Sequence, residues 1–160
     1  GETTAEMVQR FSQSVSARSP KFVVILGGTN DLGLGVNPLH ISENLSWMYL
    51  HAREVGIEPV GVTVPSIYLR REGGQSIPDW AQNHITQRLV LNREIANVCK
   101  KLDMKCLDLF RETGDSGGKL LSARFSSDGL HFNTAGYEVF ARLIWKRVLA
   151  DTFGQGLSII

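Results

Sequence analysis

The chain has 160 residues, the length of a single domain, and a compact fold of this size buries roughly 70% of the surface that the unfolded chain would expose. Its 42% hydrophobic and 21% charged residues are ordinary for a globular protein and exclude an intrinsically disordered one. The formal net charge of +1 gives no electrostatic reason to expect nucleic acid or an anionic membrane as a partner. No apolar run approaches the roughly 18 residues of a membrane span.

The two cysteines, Cys99 and Cys106, are too few for a disulfide framework, and no second pair accompanies them to suggest a zinc site. Both stand among apolar residues, which predicts two buried core thiols. Residues 28–35 are rich in glycine but lack the Lys-Ser/Thr of a P-loop and the Gly-x-Gly-x-x-Gly of a dinucleotide site. We therefore predict neither a metal nor a cofactor.

The predicted elements start with a helix over residues 2–15, where Thr3 and Glu6 have the spacing of a capping box. The apolar, β-branched run over 21–26 ends in two glycines and predicts a buried parallel strand. The remaining predicted elements are a helix over 41–55, a strand over 59–64, a loop over 66–77, a helix from 78, a strand over 104–110, a loop over 111–127 and a helix from 134.

Strands that alternate with helices across short connections favour right-handed crossovers, and hence a parallel α/β sheet with helices on both faces. We predict one domain over residues 1–153 and a loosely held tail over 154–160. Three strands are few for such a sheet, and the chain opens on a helix. We therefore expect further strands to precede Gly1.

A polar cluster follows the first predicted strand, where Gly28 leads into Asn30 and Asp31. In open α/β sheets, ligands bind beyond the carboxyl ends of the strands, so these side chains stand where a binding site is expected. The same residues are also typical of a plain Asx turn without a function. On the residues alone, both interpretations stay open.

A second cluster, Asp128 and His131, follows the third predicted strand and its loop. One turn of chain between them can bring the carboxylate to Nδ1–H of the imidazole. The carboxylate would then set the tautomer and leave Nε2 as a general base. The alternative is structural: Asp128 caps a turn, and His131 packs as a hydrogen-bonded core imidazole.

Together, these motifs resemble those of the SGNH hydrolases, the superfamily of GDSL-type lipases and esterases. The Gly-x-Asn-Asp block of that superfamily is similar to residues 28–31, and its Asp-x-x-His block is similar to residues 128–131. The Gly-Asp/Glu-Thr ending of a further block is similar to residues 1–3. Order and spacing agree over nearly the whole chain.

The resemblance implies a flavodoxin-like three-layer α/β/α fold with a parallel sheet, and hydrolysis of an ester through an acyl-enzyme. The expected substrate is an acyl ester, an acetyl ester or a thioester of a small molecule, a glycan or a lipid. The implied site consists of a general base (His131), its orienting carboxylate (Asp128), an oxyanion hole (Asn30 and the backbone N–H of Gly1) and a supporting loop (Gly28 and Asp31).

One block of the superfamily has no counterpart here, namely the Gly-Asp-Ser with the nucleophilic serine, which belongs before Gly1 together with the first two strands. A Gly-Asp-Ser at 114–116 follows the third strand and is not at a strand-to-helix turn, so we do not expect Ser116 to be the nucleophile. The resemblance therefore predicts an N-terminally truncated, inactive hydrolase. Its exposed strand over 22–26 would promote self-association.

Two other classes of function stay open. One is a noncatalytic module that binds an acyl or glycan ligand on the same scaffold. The other is a nucleotide-binding flavodoxin-like protein, although the chain lacks a phosphate loop. The sequence before Gly1 separates the first of these from an enzyme, because a strand ending in Gly-Asp-Ser would favour catalysis.

Overall fold

In the computed structural model, which describes residues 1–70 and 76–150, three parallel strands form one sheet in the order β1-β2-β3. The strands are β1 (Phe22–Ile25), β2 (Glu58–Val62) and β3 (Cys106–Leu107). Val24 lies opposite Val60, and Val62 lies opposite Leu107. Among the described residues, no strand pairs with the edge of β1 that faces away from β2.

Helices cover both faces of this sheet, as the alternation of elements predicted. The helices are α1 (Thr4–Ser14), α2 (Thr29–Gly33), α3 (Pro38–Glu54), α4 (Asp79–Lys101), α5 (Leu109–Glu112) and α6 (Thr134–Ile144), which continues as a π-helical turn over Trp145–Leu149. Because side chains alternate along a strand, Val23 and Ile25 pack with α1, α3 and α4, whereas Phe22 and Val24 pack with α6 and its extension.

Local caps determine where the first two long helices begin. Before α1, the backbone N–H of Thr3 donates to Glu6 Oε2 at 2.7 Å, and the N–H of Glu6 donates to Thr3 Oγ1 at 3.4 Å. This is the predicted capping box. α3 begins earlier than predicted, at Pro38, because Asn37 Oδ1 accepts the N–H of Leu39 at 2.9 Å and proline suits the first helical position.

The third strand is shorter than the predicted 104–110 and spans only Cys106–Leu107. Asp108 ends it, because its carboxylate accepts the N–H of Arg111 at 3.2 Å and caps α5. The hydroxyl of Thr63 donates to the same carboxylate at 3.1 Å. Polar side-chain bonds therefore start a helix where the apolar pattern favoured a strand.

The prediction of two buried thiols is correct for Cys99, which lies in the core on α4, and wrong for Cys106, which is exposed. Cys106 lies on β3, at an edge of the described sheet, so the surrounding elements cover it incompletely.

The predicted tail over 154–160 and residues 71–75 of the predicted loop fall outside the described residues. Within the described part, no helix combines the length and the apolar character needed to cross a membrane.

Candidate active site

The turn after β1 is tight because Gly28 has φ = 113°, a conformation that residues with a side chain rarely adopt. A Cβ at this position would lie 2.7 Å from Cδ2 of Leu91 and 3.0 Å from Cγ2 of Ile41. Glycine therefore lets the turn pass close to α3 and α4. α2 starts directly after it, with Asn30 and Asp31 in its first turn.

Asp31 joins this turn to α1. Its side chain is only 2% exposed, and its carboxylate accepts the N–H of Thr4 at 3.0 Å and the Thr4 hydroxyl at 2.6 Å. Thr4 Oγ1 in turn accepts Nδ2–H of Asn44 at 3.1 Å. A buried carboxylate needs such donors to offset its lost hydration. Asp31 is thus placed where it can support the loop, and its part in the function stays a prediction.

Asn30 is oriented by the residues that precede α1. Its Nδ2 donates to the carbonyl oxygen of Glu2 at 2.8 Å. Gly1 lies so close that a Cβ there would collide with the Asn30 amide group. Because a side-chain amide has two N–H bonds, the bond to Glu2 orients the group and leaves a second N–H for another acceptor.

Within the turn over 126–131, the side chains of Asp128 and His131 are hydrogen-bonded to each other. Asp128 Oδ2 accepts Nδ1–H of His131 at 2.7 Å, while Oδ1 accepts the N–H of Leu130 at 2.9 Å and that of His131 at 2.8 Å. With the proton on Nδ1, Nε2 is the free basic nitrogen. Asp128 therefore caps the turn and orients the imidazole at the same time. The alternative of a packed core imidazole is wrong, because the His131 side chain is 78% exposed.

Hydrogen bonds hold the pKa of Asp128 well below its ordinary value of 3.8, first from the N–H of Leu130 and then from the side chain and the N–H of His131. A carboxyl group with a lowered pKa stabilises the fold above its unfolded pKa, and this contribution is lost as pH falls through the lowered pKa. We therefore expect Asp128 to remain ionised from roughly pH 7 to pH 4, so that its ¹³C carboxyl resonance shows no protonation step in that range. In His131→Ala the midpoint should rise, because one donor is lost. A wild-type midpoint at or above 3.8 would contradict this.

Gly1, Asn30 and His131 line one cavity of about 290 Å³. The turn after β1, the chain after β2 and the segment before α6 converge there, as expected for the carboxyl edge of a parallel sheet. Its walls are largely apolar, with Leu26 and Phe140 among them. The structure thus brings the predicted donors and the predicted base together.

Nowhere in residues 1–70 and 76–150 do three or more His, Cys, Asp or Glu side chains form a group that could hold a metal ion.

Arg88, which sequence reasoning did not single out, also lines this cavity. Its side chain is 1% exposed, and its Nη1 donates to the Pro65 carbonyl at 2.7 Å and to Thr29 Oγ1 at 3.4 Å. Burial lowers the pKa of the guanidinium to about 10, so it stays charged at neutral pH. A signal was available: Arg88 stands in the apolar stripe of α4, where a charged residue is rare.

Ser116 lies on an exposed turn and is not among the residues that line the cavity. The Asp115 carboxylate of the same Gly-Asp-Ser accepts the N–H groups of Lys119 and Leu120, each at 3.2 Å. This motif therefore closes a turn. No serine from the described part of the chain lines the cavity.

Another serine stands near a histidine and a carboxylate, on α1 and α3. Ser12 Oγ lies 3.5 Å from Nε2 of His51, whose Nδ1 lies 3.7 Å from Oε2 of Glu54. The imidazole stacks on Trp47 with 4.8 Å between the ring centroids. Ser12 is in the last turn of α1, where the free backbone groups are carbonyls that would repel an oxyanion. The end of α1 therefore supplies no oxyanion hole to this grouping.

A comparison with known families identifies the class of protein. The chain matches the model of the GDSL-like lipase/acylhydrolase family over residues 1–139. It belongs to that family, as the resemblance of its motifs implied. No curated protein sequence matches the chain significantly.

Solved structures of such hydrolases have the same fold. A GDSL-like lipase from Bacteroides thetaiotaomicron VPI-5482 superposes with a TM-score of 0.78 at 22% identity, over 91% of this chain and 70% of the other. An acetylxylan esterase from Geobacillus stearothermophilus, solved as a catalytic mutant, gives a TM-score of 0.74 at 18% identity, over 99% of this chain and 71% of the other. The predicted α/β class with a parallel sheet is confirmed.

Proposed function

We propose that this chain provides the general base, the orienting carboxylate and the oxyanion hole of a serine esterase. Membership of an acylhydrolase family supports ester hydrolysis in general. The observation that carries the finer proposal is a shared cavity: Asn30, Gly1 and His131 all line it, and Asp128 is bonded to Nδ1 of the imidazole.

In the proposed reaction, a serine hydroxyl attacks the ester carbonyl carbon while Nε2 of His131 takes its proton. The carbonyl oxygen becomes an oxyanion, to which Nδ2–H of Asn30 donates, together with the N–H of Gly1 once that nitrogen is part of a peptide bond. The imidazolium then gives its proton to the leaving alcohol as the C–O bond breaks, and an acyl-enzyme remains. Water, deprotonated by His131, releases the acid and restores the serine. Asp128 stabilises the imidazolium in both halves of the reaction.

We infer that none of the serines in residues 1–70 and 76–150, which the structure describes, is the nucleophile. Two observations support this. No serine in the described part of the chain lines the cavity, and the Gly-Asp-Ser that ends at Ser116 forms an exposed, hydrogen-bonded turn. A nucleophile of this class needs a rigid strand-to-helix turn that presents Oγ to the base. Ser116 has no such support.

For the substrate, we propose an ester with a short acyl group. The cavity volume of about 290 Å³ lies just below the roughly 300–1,000 Å³ typical of ligand pockets. Apolar walls such as Leu26 and Phe140 suit the methylene groups of an acyl chain. The alcohol or thiol part then extends towards solvent, where a small molecule, a glycan or a lipid can be accommodated.

A noncatalytic ligand-binding module is the second candidate, and the lack of a cavity-lining serine in the described residues favours it. Such a module would bind an acyl or glycan ligand in the same cavity and release it unchanged. Turnover separates the two candidates: a chain extended at its N-terminus by a strand that ends in Gly-Asp-Ser hydrolyses p-nitrophenyl acetate only if the cavity is catalytic.

In the N-terminally extended chain, Asn30→Ala is expected to lower kcat for p-nitrophenyl acetate by roughly 10²–10³, the usual loss for one oxyanion donor. KM should change little, because the full negative charge develops only in the transition state. Asn83→Ala, an exposed position on α4, is the matched control and should leave kcat unchanged. An unchanged kcat in a folded Asn30→Ala variant would contradict the assignment.

A further inference from the structure

Arg88 is a buried cation that no carboxylate in the described part of the chain neutralises. Its Nε also lacks a hydrogen-bond partner among those residues. Burying such a charge destabilises a fold, and an apolar side chain of similar volume would avoid that cost. Departures of this kind from ordinary core composition are expected at functional sites.

The guanidinium connects two segments that border the cavity. Nη1 donates to the carbonyl oxygen of Pro65, which follows β2, and to Oγ1 of Thr29, the residue immediately before Asn30. Pro65, Thr29 and Asn30 all line the cavity with Arg88. Arg88 on α4 therefore bridges the segments that follow two neighbouring strands.

His84 completes the surroundings of the guanidinium. Nη2 of Arg88 lies 3.2 Å from Nε2 of His84, one turn earlier on α4. Burial, followed by the nearby Arg88 charge, lowers the pKa of His84 and keeps the imidazole neutral, so that Nε2 accepts this bond. His84 thus orients Arg88 without cancelling its charge or adding a second one.

We propose that Arg88 is a positioning residue for the oxyanion hole: it ties the Thr29–Asn30 turn to Pro65, and its charge favours an anion at Asn30. This inference rests on the proposed function. A fixed cation at the wall of a partly desolvated cavity stabilises negative charge without reorganising during the reaction. Arg88 acts through the position of Asn30 and through its electric field, and does not itself contact the substrate.

The first test needs no turnover and uses acetate, an anion that resembles the acid product. Acetate is titrated into the 160-residue chain with its N-terminus acetylated, so that Gly1 adds no charge to the cavity, while the Asn30 side-chain amide resonances are followed by NMR. Arg88→Met should weaken acetate binding on the order of tenfold. Arg88→Lys, which keeps a charge but not the paired Nη1 bonds to Thr29 and Pro65, should bind acetate with an affinity between those of the Met variant and the wild type. Arg93→Met, at an exposed position on the same helix, should bind like the wild type.

Thermal unfolding distinguishes this role from a purely structural one. Because Arg88→Met removes an unpaired buried charge, its Tm should equal or exceed that of Arg93→Met. A structural role predicts instead a lower Tm with unchanged acetate affinity, and that result would overturn the proposal. Equal affinities in folded Arg88→Met and Arg88→Lys would also overturn it. Should the Met variant fail to fold, Arg88→Gln replaces it in the same comparison.

A kinetic experiment separates this inference from the proposed function. In the N-terminally extended chain, Arg88→Met should lower kcat for p-nitrophenyl acetate on the order of tenfold at nearly constant KM. Normal turnover in that variant would overturn the inference about Arg88 and leave the proposed function intact. If the wild-type extended chain hydrolyses no ester but acetate binding still depends on the Arg88 charge, the proposed function is wrong and the anion site stands.

Discussion

His131→Ala is expected to lower kcat of the N-terminally extended chain for p-nitrophenyl acetate by roughly 10⁴-fold or more. The imidazole is the only base that the proposed mechanism uses, in both acylation and deacylation. The fold should persist, because the His131 side chain is 78% exposed and Asp128 keeps its bonds to the backbone of the turn. Initial rates, with circular dichroism to verify folding, measure the effect.

His40 offers a matched control for this substitution. Its Nδ1 lies 3.0 Å from Oε2 of Glu43, so it also pairs with a carboxylate three residues away, and it is 73% exposed. It lies on α3 and does not line the cavity. His40→Ala should therefore leave kcat unchanged. If His131→Ala retains more than about one hundredth of the wild-type kcat, the imidazole is not the general base.

The 160-residue chain by itself is expected to hydrolyse no p-nitrophenyl acetate above the buffer rate and to self-associate. No serine in its described part lines the cavity. In addition, one edge of β1 has no strand partner among the described residues, and free strand edges promote association. An N-terminal extension of roughly forty residues, long enough for a βαβ unit and carrying Gly-Asp-Ser, should give a monomer with turnover. Nitrophenol release and light scattering after size-exclusion chromatography test both parts.

Two serine substitutions control this experiment. In the extended chain, replacing the serine of the added Gly-Asp-Ser by alanine should abolish turnover, whereas Ser116→Ala should leave it intact. Labelling of Ser116 by a fluorophosphonate would contradict this. So would ester hydrolysis by the 160-residue chain that disappears in His131→Ala, because the nucleophile would then lie inside these residues.

Sequence patterns predicted features that depend on residues close together in the chain. The capping box of Thr3 and Glu6 is one, and the bond between Asp128 and His131 is another, since each joins side chains three positions apart. The strand and helix order was equally accessible, because apolar periodicity shows which face each element buries. The length of β3 was not accessible, since the bond that helps to hold Asp108 comes from Thr63, which follows the neighbouring strand β2.

Arg88 shows most clearly what sequence patterns leave open. Its place in the apolar stripe of α4 was unusual, but its partners were unpredictable, because Thr29 and Pro65 are 59 and 23 positions away in the chain. Likewise, an exposed Cys106 could not be told from a buried Cys99 until the position of β3 at the edge of the described sheet was known.

The sequence by itself determined the α/β class, the family motifs and the hydrogen-bonded pair of Asp128 and His131, because these follow from local periodicity and short spacings. Only the tertiary structure decided that Asn30, His131 and Arg88 line one cavity. Their convergence requires parallel strands that end at the same edge and a crossover helix, α4, that packs on one face of the sheet. Such contacts depend on the packing of whole elements, and no spacing along the chain encodes them.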